Sequence, residues 1–478
     1  MTVPPGDVPY RPYDRGGFQN SSLASLGYWT AMTNPTYAEV ERALLARWPE
    51  SKLEPSLDRI RALCRVMGDP QSAYPVIQIT GTNGKTSTGR MIDALLRGLG
   101  LRTGRFTSPH LVSMTERISI DGEPLSEDLF VEAYADVAAY AQVVDDSQPV
   151  ALSYFELMVG IAYQAFADAP VDAAVVEVGM GGTWDATNVA DASVAVITPV
   201  AVDHSRYLGD TPGDIAVEKA GIIKQGAQVV VARQPEDAAS EIFARASEVG
   251  ATLHREGVDF GVVERTPALA GQMLTLQGIG ATYDEVFLPL FGAHQADNAA
   301  YALAAVEAFT GGKELDAQIV RDAFAEVTSP GRLEVVRRSP TVVLDAAHNP
   351  AGARAAAEAI QEAFSFSPLI GVVGVMADKE VDEILQALEP VMAEVVCTQN
   401  STDRAMPAHE LADIAEGIFG SERVHVAKGL PDAIEKAVSL AESERYGEGV
   451  GGGGVLVTGS VVTAGEARVL LVPKESNA

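Results

Sequence analysis

Apolar positions recur every three or four residues through Val40, Leu44 and Leu45, then Leu57, Ile60 and Leu63, which predicts two amphipathic helices. Beyond Pro75 the period changes. Val76-Ile77-Gln78-Ile79 is a short β-rich run that leads into Thr80-Gly81-Thr82-Asn83-Gly84-Lys85-Thr86-Ser87. Met91, Ile92, Leu95, Leu96 and Leu99 then repeat at helical intervals. Further β-like runs at 173–178, 194–198 and 228–232 alternate with helical stretches, the pattern of an α/β domain around a mainly parallel sheet. Alternation in Met273-Leu274-Thr275-Leu276 predicts hairpins within 253–290. A second α/β unit opens near Ser339, with strands at 342–344, 370–375, 394–398 and 455–458 and helices at 353–363, 381–392, 409–418 and 431–440. A glycine-rich loop over 447–454 precedes its last strand.

This patterning divides the 478 residues into a tail (1–34), a larger P-loop-type domain (35–328) and a smaller Rossmann-like α/β domain (329–478). The boundary falls near Ser329-Pro330-Gly331, and two such units in tandem imply a cleft between them. The tail is rich in Pro, Gly, Tyr and Ser and has no apolar core segment, so it does not read as a signal peptide. No apolar run approaches the roughly 18 residues of a membrane span.

Composition narrows the classes. Apolar residues at 47% and charged residues at 21% suit a packed globular protein and argue against wholesale disorder. A net charge of −30 makes the chain a poor binder of nucleic acid or of anionic membranes. The two cysteines, Cys64 and Cys397, form neither a disulfide framework nor a zinc pattern, and a cytoplasmic protein is expected.

Within that acidic chain, which holds nine lysines, one lies in the glycine loop. Gly81-Thr82-Asn83-Gly84-Lys85-Thr86 resembles a nucleotide phosphate loop in which the first expected glycine is replaced by Ile79. Residues without bulk let backbone N–H groups converge on phosphate oxygens; a lysine neutralises them, and a hydroxyl serves Mg²⁺. Glu177 ends an apolar strand before Gly179-Met180-Gly181-Gly182, a position suited to Mg²⁺ or simply to a solvated strand end. Asp203-His204 and Ser108-Pro109-His110 stand beyond other strands, as ligands or as turns. Lys219 and Lys224 flank a short apolar segment, as surface charges or as phosphate partners. Asp345-Ala346-Ala347-His348-Asn349-Pro350 follows the first strand of the second unit, where α/β sheets bind ligands and where an Asx turn fits equally well.

In this order the motifs resemble the Mur-ligase superfamily and, within it, the folylpolyglutamate synthase/dihydrofolate synthase family, from about Tyr37 to Arg468. The phosphate loop is shared with the superfamily. More particular to the folate branch are Thr107-Ser108-Pro109-His110-Leu111 with Glu116-Arg117-Ile118, Phe155-Glu156, the 177–188 segment, Asp203-His204 and the 218–224 segment. His294-Gln295 with Asn298, Pro330-Gly331-Arg332 and the 345–350 segment complete the set.

The resemblance implies ATP-dependent addition of L-glutamate to dihydropteroate, to the terminal glutamate of reduced folates, or to both as in bifunctional bacterial members, through an acyl phosphate. It assigns ATP to Thr82, Asn83, Gly84, Lys85, Thr86 and Ser87 with Asn298, Arg332 and Asp345. Two magnesium ions fall to Ser108, Glu177, His204 and Lys219, the last carried as a carbamate; potassium is a further candidate ion. Catalytic roles fall to Lys85, Lys219 and His348, and substrate contacts to Tyr154, Phe155, Glu156, His348 and Asn349. A monomer is expected.

Two departures from the family pattern stand out: Thr183-Trp184 replaces an Arg and a bulky residue after the double glycine, and Thr86-Ser87 presents two hydroxyls after Lys85. Two rivals remain at this stage. One is a peptidoglycan-precursor amino-acid ligase. The other is an ATPase switch without ligase activity.

Overall fold

A computed structural model describes residues 35–49, 54–443 and 452–473. The tail over 1–34 and most of the glycine-rich loop over 447–454 lie outside these residues. The described residues build three sheets. The first has eight strands: β1 (Val76–Thr80), β2 (Thr103–Phe106), β3 (Ile118–Ile120), β4 (Glu123–Pro124), β5 (Ala173–Glu177), β6 (Val194–Ile197), β7 (Gln228–Val231) and β8 (Thr252–Arg255), in the order β4-β3-β2-β5-β1-β6-β7-β8. From β2 to β8 every pairing is parallel, and β3 and β4 add an antiparallel edge.

Because β1, β5 and β6 lie side by side and bury both faces, they read as continuous apolar runs rather than alternating ones. One face of the sheet packs Met91, Leu95 and Leu96 of helix Lys85–Gly98 together with the alanine-rich helix Ala293–Phe309. The other packs Phe130 and Val137 of helix Glu127–Ser147 and Met158, Ile161 and Phe166 of helix Tyr154–Asp168. The hairpins expected within 253–290 are an antiparallel meander, β9 (Gly261–Ala268), β10 (Gly271–Gln277) and β11 (Thr282–Leu288), packed on Ala293–Phe309.

The third sheet, β12 (Glu334–Arg338), β13 (Thr341–Leu344), β14 (Leu369–Val373), β15 (Glu394–Cys397), β16 (Val424–Val426) and β17 (Gly454–Thr458), runs β12-β13-β17-β14-β15-β16. Only β12 is antiparallel to its neighbour. Helices cover both of its faces, with Ile360, Ile384 and Leu411 on one and Ile434, Ala437 and Ala467 on the other. The molecule is thus a mainly parallel α/β sheet followed by a second, smaller α/β sheet, as the sequence pattern leads one to expect. Among the described residues, no helix is long and apolar enough to cross a membrane.

Candidate active site

The carboxyl ends of β1, β2, β5 and β6 converge, and each delivers one of the polar motifs. Ligands of open α/β sheets settle at such ends. Directly after β1 the chain turns through Gly81 (φ 148°) and Gly84 (φ 87°) into helix Lys85–Gly98. A Cβ on Gly81 would overlap the Thr198 hydroxyl, and one on Gly84 would overlap Asn298 Oδ1, so the loop is held between two neighbours that only glycine admits. Thr82 is pinned from the β6 side: its N–H donates to Pro199 O (3.0 Å) and its hydroxyl to Ala201 O (2.9 Å).

Lys85 Nζ folds back onto Gly81 O (2.9 Å) and Thr82 O (3.2 Å), beneath the turn it serves. Burial lowers its pKa, while Glu177 and Asp203 pull it back up. The two hydroxyls that follow are told apart by their partners. Thr86 Oγ1 donates to Glu177 Oε1 (3.0 Å) and Oε2 (3.1 Å), whereas Ser87 Oγ meets Ser329 Oγ (3.1 Å) at the entry to the second domain. Thr107, just beyond β2, also donates to Glu177. Glu177 is therefore a buried carboxylate ringed by hydroxyls at the mouth of the phosphate loop.

Helix Pro212–Ala220 starts from the Thr211 cap, with Pro212 in its first turn, and carries Lys219 in its last. Lys219 is buried, and its Nζ donates to Gly81 O (3.0 Å). Burial first, then Lys85, hold its amine down to about 7. Thr183, one of the two departures, donates its N–H (3.0 Å) and its hydroxyl (3.2 Å) to Glu218 O, so it fastens the backbone next to Lys219. Trp184 packs with Met180 and Val202 on the apolar cluster below that helix.

From the other side, β13 delivers Asp345, His348 and Asn349. Asp345 is buried and accepts N–H bonds from Leu333 (3.0 Å) and Ala347 (2.9 Å); burial raises its pKa against the pull of Arg332. Asn349 caps helix Pro350–Ala363 through Gly352 N (2.8 Å) and exchanges amide hydrogen bonds with Asn83 of the phosphate loop (3.0 and 3.3 Å). Asp203 lies at this crossing. It accepts from Lys379 Nζ (2.7 Å) and Asn349 Nδ2 (3.3 Å), and the Nε2 atoms of His204 and His348 each stand 3.9 Å from it. Burial would raise the Asp203 carboxyl, but His204 and Lys379 together hold it below the usual range. Both histidines are held near 4, chiefly by burial, and so are neutral at pH 7.

One cleft between the two sheets is thus lined by every residue expected to hold ATP or metal, from Thr82 to Ser87 and from Ser108 to Asp345, and by His348. Tyr154, Phe155 and Glu156 are not on its walls. Glu156 is committed to Arg59 (2.9 and 3.1 Å) and to the Ser153 helix cap, and Phe155 packs against Phe106 and beneath Gly179. Tyr154 lies under the Arg117 guanidinium (5.1 Å). Asn349 adjoins the cleft through Asn83 and Asp203.

Lys379, unremarked in the sequence pattern, is the cation that the fold adds. It follows β14, a strand end that was expected, but nothing in its local sequence marks it. Among the described residues no group of three or more His, Cys, Asp or Glu side chains forms a metal cage. The donors present are instead the Glu177 carboxylate with the Thr86 and Ser108 hydroxyls, hard oxygens that suit a Mg²⁺ taking its other ligands from phosphates and water.

The chain matches the model of the Mur ligase middle domain over residues 153–306 and that of the Mur ligase glutamate ligase domain over residues 331–461. It is 49% identical over 453 residues to the dihydrofolate synthase/folylpolyglutamate synthase of Mycobacterium tuberculosis, covering 90% of this chain and 93% of that one. The chain belongs to the dihydrofolate synthase/folylpolyglutamate synthase family. With it the chain joins the acid–amino-acid ligases. The family's Escherichia coli dihydrofolate synthase/folylpolyglutamate synthase is 31% identical over 423 residues, 88% of this chain and 92% of that one. Among solved structures of the family, M. tuberculosis folylpolyglutamate synthase complexed with ADP and AMPPCP superposes with a TM-score of 0.88 at 48% identity, over 92% of this chain and 99% of that one. An E. coli structure in complex with DHPP and ADP gives 0.79 at 29% identity, over 92% and 99% of the two chains.

Proposed function

We propose that this chain joins L-glutamate to dihydropteroate and to the terminal glutamate of reduced folates, using ATP and releasing ADP and phosphate. The observation that carries the proposal is the pairing of a nucleotide loop from one sheet with Asp345, His348, Asn349 and Lys379 from the other around a single cleft. A carboxylate is a poor electrophile at neutral pH, so it must be activated before an amine attacks. Its oxygen attacks the γ-phosphorus, the bond to ADP breaks, and an acyl phosphate forms. The glutamate amine then adds to the acyl carbon, loses a proton, and expels phosphate.

The chain's own groups act mainly by charge and alignment. Lys85 would neutralise the β- and γ-phosphates. Thr86 and Glu177 would hold one Mg²⁺, with Ser108 and His204 close by, and a bound Mg²⁺ supplies neutralisation of phosphoryl charge. Neutral His204 and His348 present lone pairs rather than charge. Closure of the two domains over bound substrates would exclude water that hydrolyses the acyl phosphate. Lys219 would act as a carbamate in helping to hold a second Mg²⁺. Its burial favours the neutral amine that adds to carbon dioxide, and ¹³C-bicarbonate should give a carbamate resonance that Lys219→Arg abolishes. A working monomer in the cytoplasm, with the buried thiols Cys64 and Cys397 reduced, accords with this role.

The acceptor's carboxylate, labelled with ¹⁸O, tests the activation step. One label should appear in the released phosphate for each glutamyl bond made. Unlabelled phosphate would eliminate the acyl phosphate.

A further inference from the structure

The loop over 107–117 starts on the cleft wall and reaches across to the second domain. Its base is closed by the Thr107 N–H on Arg117 O (3.0 Å), and Ser108 and Pro109 stand on the wall together with Glu177. The turn is held from within by Glu116, whose carboxylate accepts the N–H groups of Leu111 (2.8 Å), Val112 (3.0 Å) and Ser113 (2.9 Å). Three peptide N–H groups on one carboxylate stiffen the turn, so Leu111, three residues beyond Ser108, moves with the wall.

Two glycines of the second domain receive Leu111. A Cβ on Gly331 would come within 3.2 Å of both Leu111 methyl groups, and a Cβ on Gly465 would overlap the Leu111 carbonyl oxygen. Gly465 lies within helix Val461–Leu471, where glycine is unfavourable, and the approach of Leu111 is what leaves no room for a side chain. The socket is itself braced. Gly331 donates its N–H to Glu334 (2.9 Å), and Glu334 also takes Arg468 Nε of the same helix (3.1 Å to each oxygen). Gly331 O accepts the Ala346 N–H (2.8 Å), beside Asp345 on the opposite wall of the cleft. One leucine thus ties the Ser108 wall to the Asp345 wall. The contact is apolar, and Leu111, Gly331 and Gly465 do not line the cleft, so a ligand entering there does not compete with it.

We propose that Leu111 is a positioning residue for the ligase reaction: seated on Gly331 and Gly465, it sets the distance at which groups held by the two domains meet. The inference rests on the ATP-dependent ligase reading and adds to it a residue that touches no substrate. A misplacement of about 1 Å between reacting groups corresponds to roughly 100-fold in rate.

Three variants of the full chain test it. Leu111→Ala leaves the socket empty, Gly465→Ala pushes the loop away, and Leu111→Met refills the socket with a side chain of similar volume. With saturating Mg-ATP, L-glutamate and dihydropteroate or tetrahydrofolate, kcat for glutamyl product should fall by about 10-fold or more in both alanine variants. Leu111→Met should stay within about 3-fold of wild type. ADP affinity by calorimetry should change by no more than about 3-fold, because the phosphate loop is anchored to Thr198 and Ala201 of its own domain. Combining Leu111→Ala with Gly465→Ala should cost no more than Gly465→Ala alone, since both act at one contact. A merely structural role predicts a lower thermal midpoint with kcat unchanged below it, which would overturn the proposal. So would multiplying losses in the double variant, ADP affinity that falls in step with kcat, or failure of both alanine variants to fold. Wild-type protein that makes no glutamyl product from either acceptor would bring down the ligase reading, and this inference with it.

Discussion

Lys85 and Lys219 meet at the Gly81 carbonyl, 2.9 and 3.0 Å from it, so two of the nine lysines share one acceptor beneath the phosphate loop. Two buried lysine amines side by side each resist carrying charge, so holding Lys85 charged there requires anions close by. Lys85→Ala should therefore lower kcat by at least about 100-fold in a steady-state phosphate-release assay while leaving the circular dichroism spectrum unchanged. A second residue-scale expectation concerns His294. Burial, then Arg332 and Arg265, hold its imidazole at about 4 against an ordinary 6.5. In the unfolded chain the ring protonates as pH falls below 6.5, whereas in the folded protein it resists until about 4, so stability is lost across that window. His294→Gln should flatten the fall in unfolding free energy between pH 6.5 and 4 by about 2 kcal/mol, the full shift being discounted for a ring that is only part-buried. At this scale the sequence was most legible where backbone need dictates the residue, as at Gly81 and Gly84. It was silent at Lys379, whose role depends on a contact 176 positions away. It also left Thr86 and Ser87 unresolved until their partners, Glu177 and Ser329, were placed.

At the scale of elements, the strands at 76–79, 173–178, 194–198 and 228–232 were readable because both faces of a parallel sheet are buried and the runs are continuously apolar. The antiparallel strands at two sheet edges, β3 with β4 and β12, leave little trace in the pattern: β4 and β12 are mostly exposed edge strands with no apolar run, and β3, though buried, is three residues long. Most site motifs were legible for a related reason: those at 81–87, 107–110, 177–182, 203–204 and 345–350 follow strand ends that the sheet order brings together, while Lys219 and Asn298 come from helices. Tyr154 and Glu156 show the limit of that logic. They start a helix rather than end a strand, and their side chains serve the packing beside the sheet. The turn from β1 into helix Lys85–Gly98 is the element on which nucleotide binding depends most. Gly84→Ala would force a side chain onto Asn298 at a φ of 87°, so ADP affinity measured by calorimetry should drop by about 10-fold or more, with a stability loss of about 1–3 kcal/mol.

Among the described residues, two ion pairs of Lys or Arg with a carboxylate join the domains and differ in surroundings. Asp203–Lys379 has both side chains about nine-tenths buried, at 11% exposure each, with Asp203 on the cleft wall, whereas Arg265–Glu362, between β9 and helix Pro350–Ala363, is 23% and 31% exposed. Removing one partner of the buried pair strands a charge, so Lys379→Met should destabilise the protein by about 3–5 kcal/mol, seen as a lower thermal midpoint, and depress kcat/KM for glutamate. Arg265→Gln should change stability by no more than about 1 kcal/mol. A cleft was foreseeable from two α/β units in tandem, but which side chains cross it was not, because interdomain contacts leave no periodic trace in the chain. Whether that cleft makes a glutamyl bond is decided by incubating the protein with Mg-ATP and L-glutamate, adding dihydropteroate or tetrahydrofolate separately, and following phosphate and product mass. Glutamate-dependent phosphate release with a product one glutamyl unit heavier from each acceptor is the expected result. Phosphate release indifferent to glutamate and to both acceptors, with no heavier product, would contradict it.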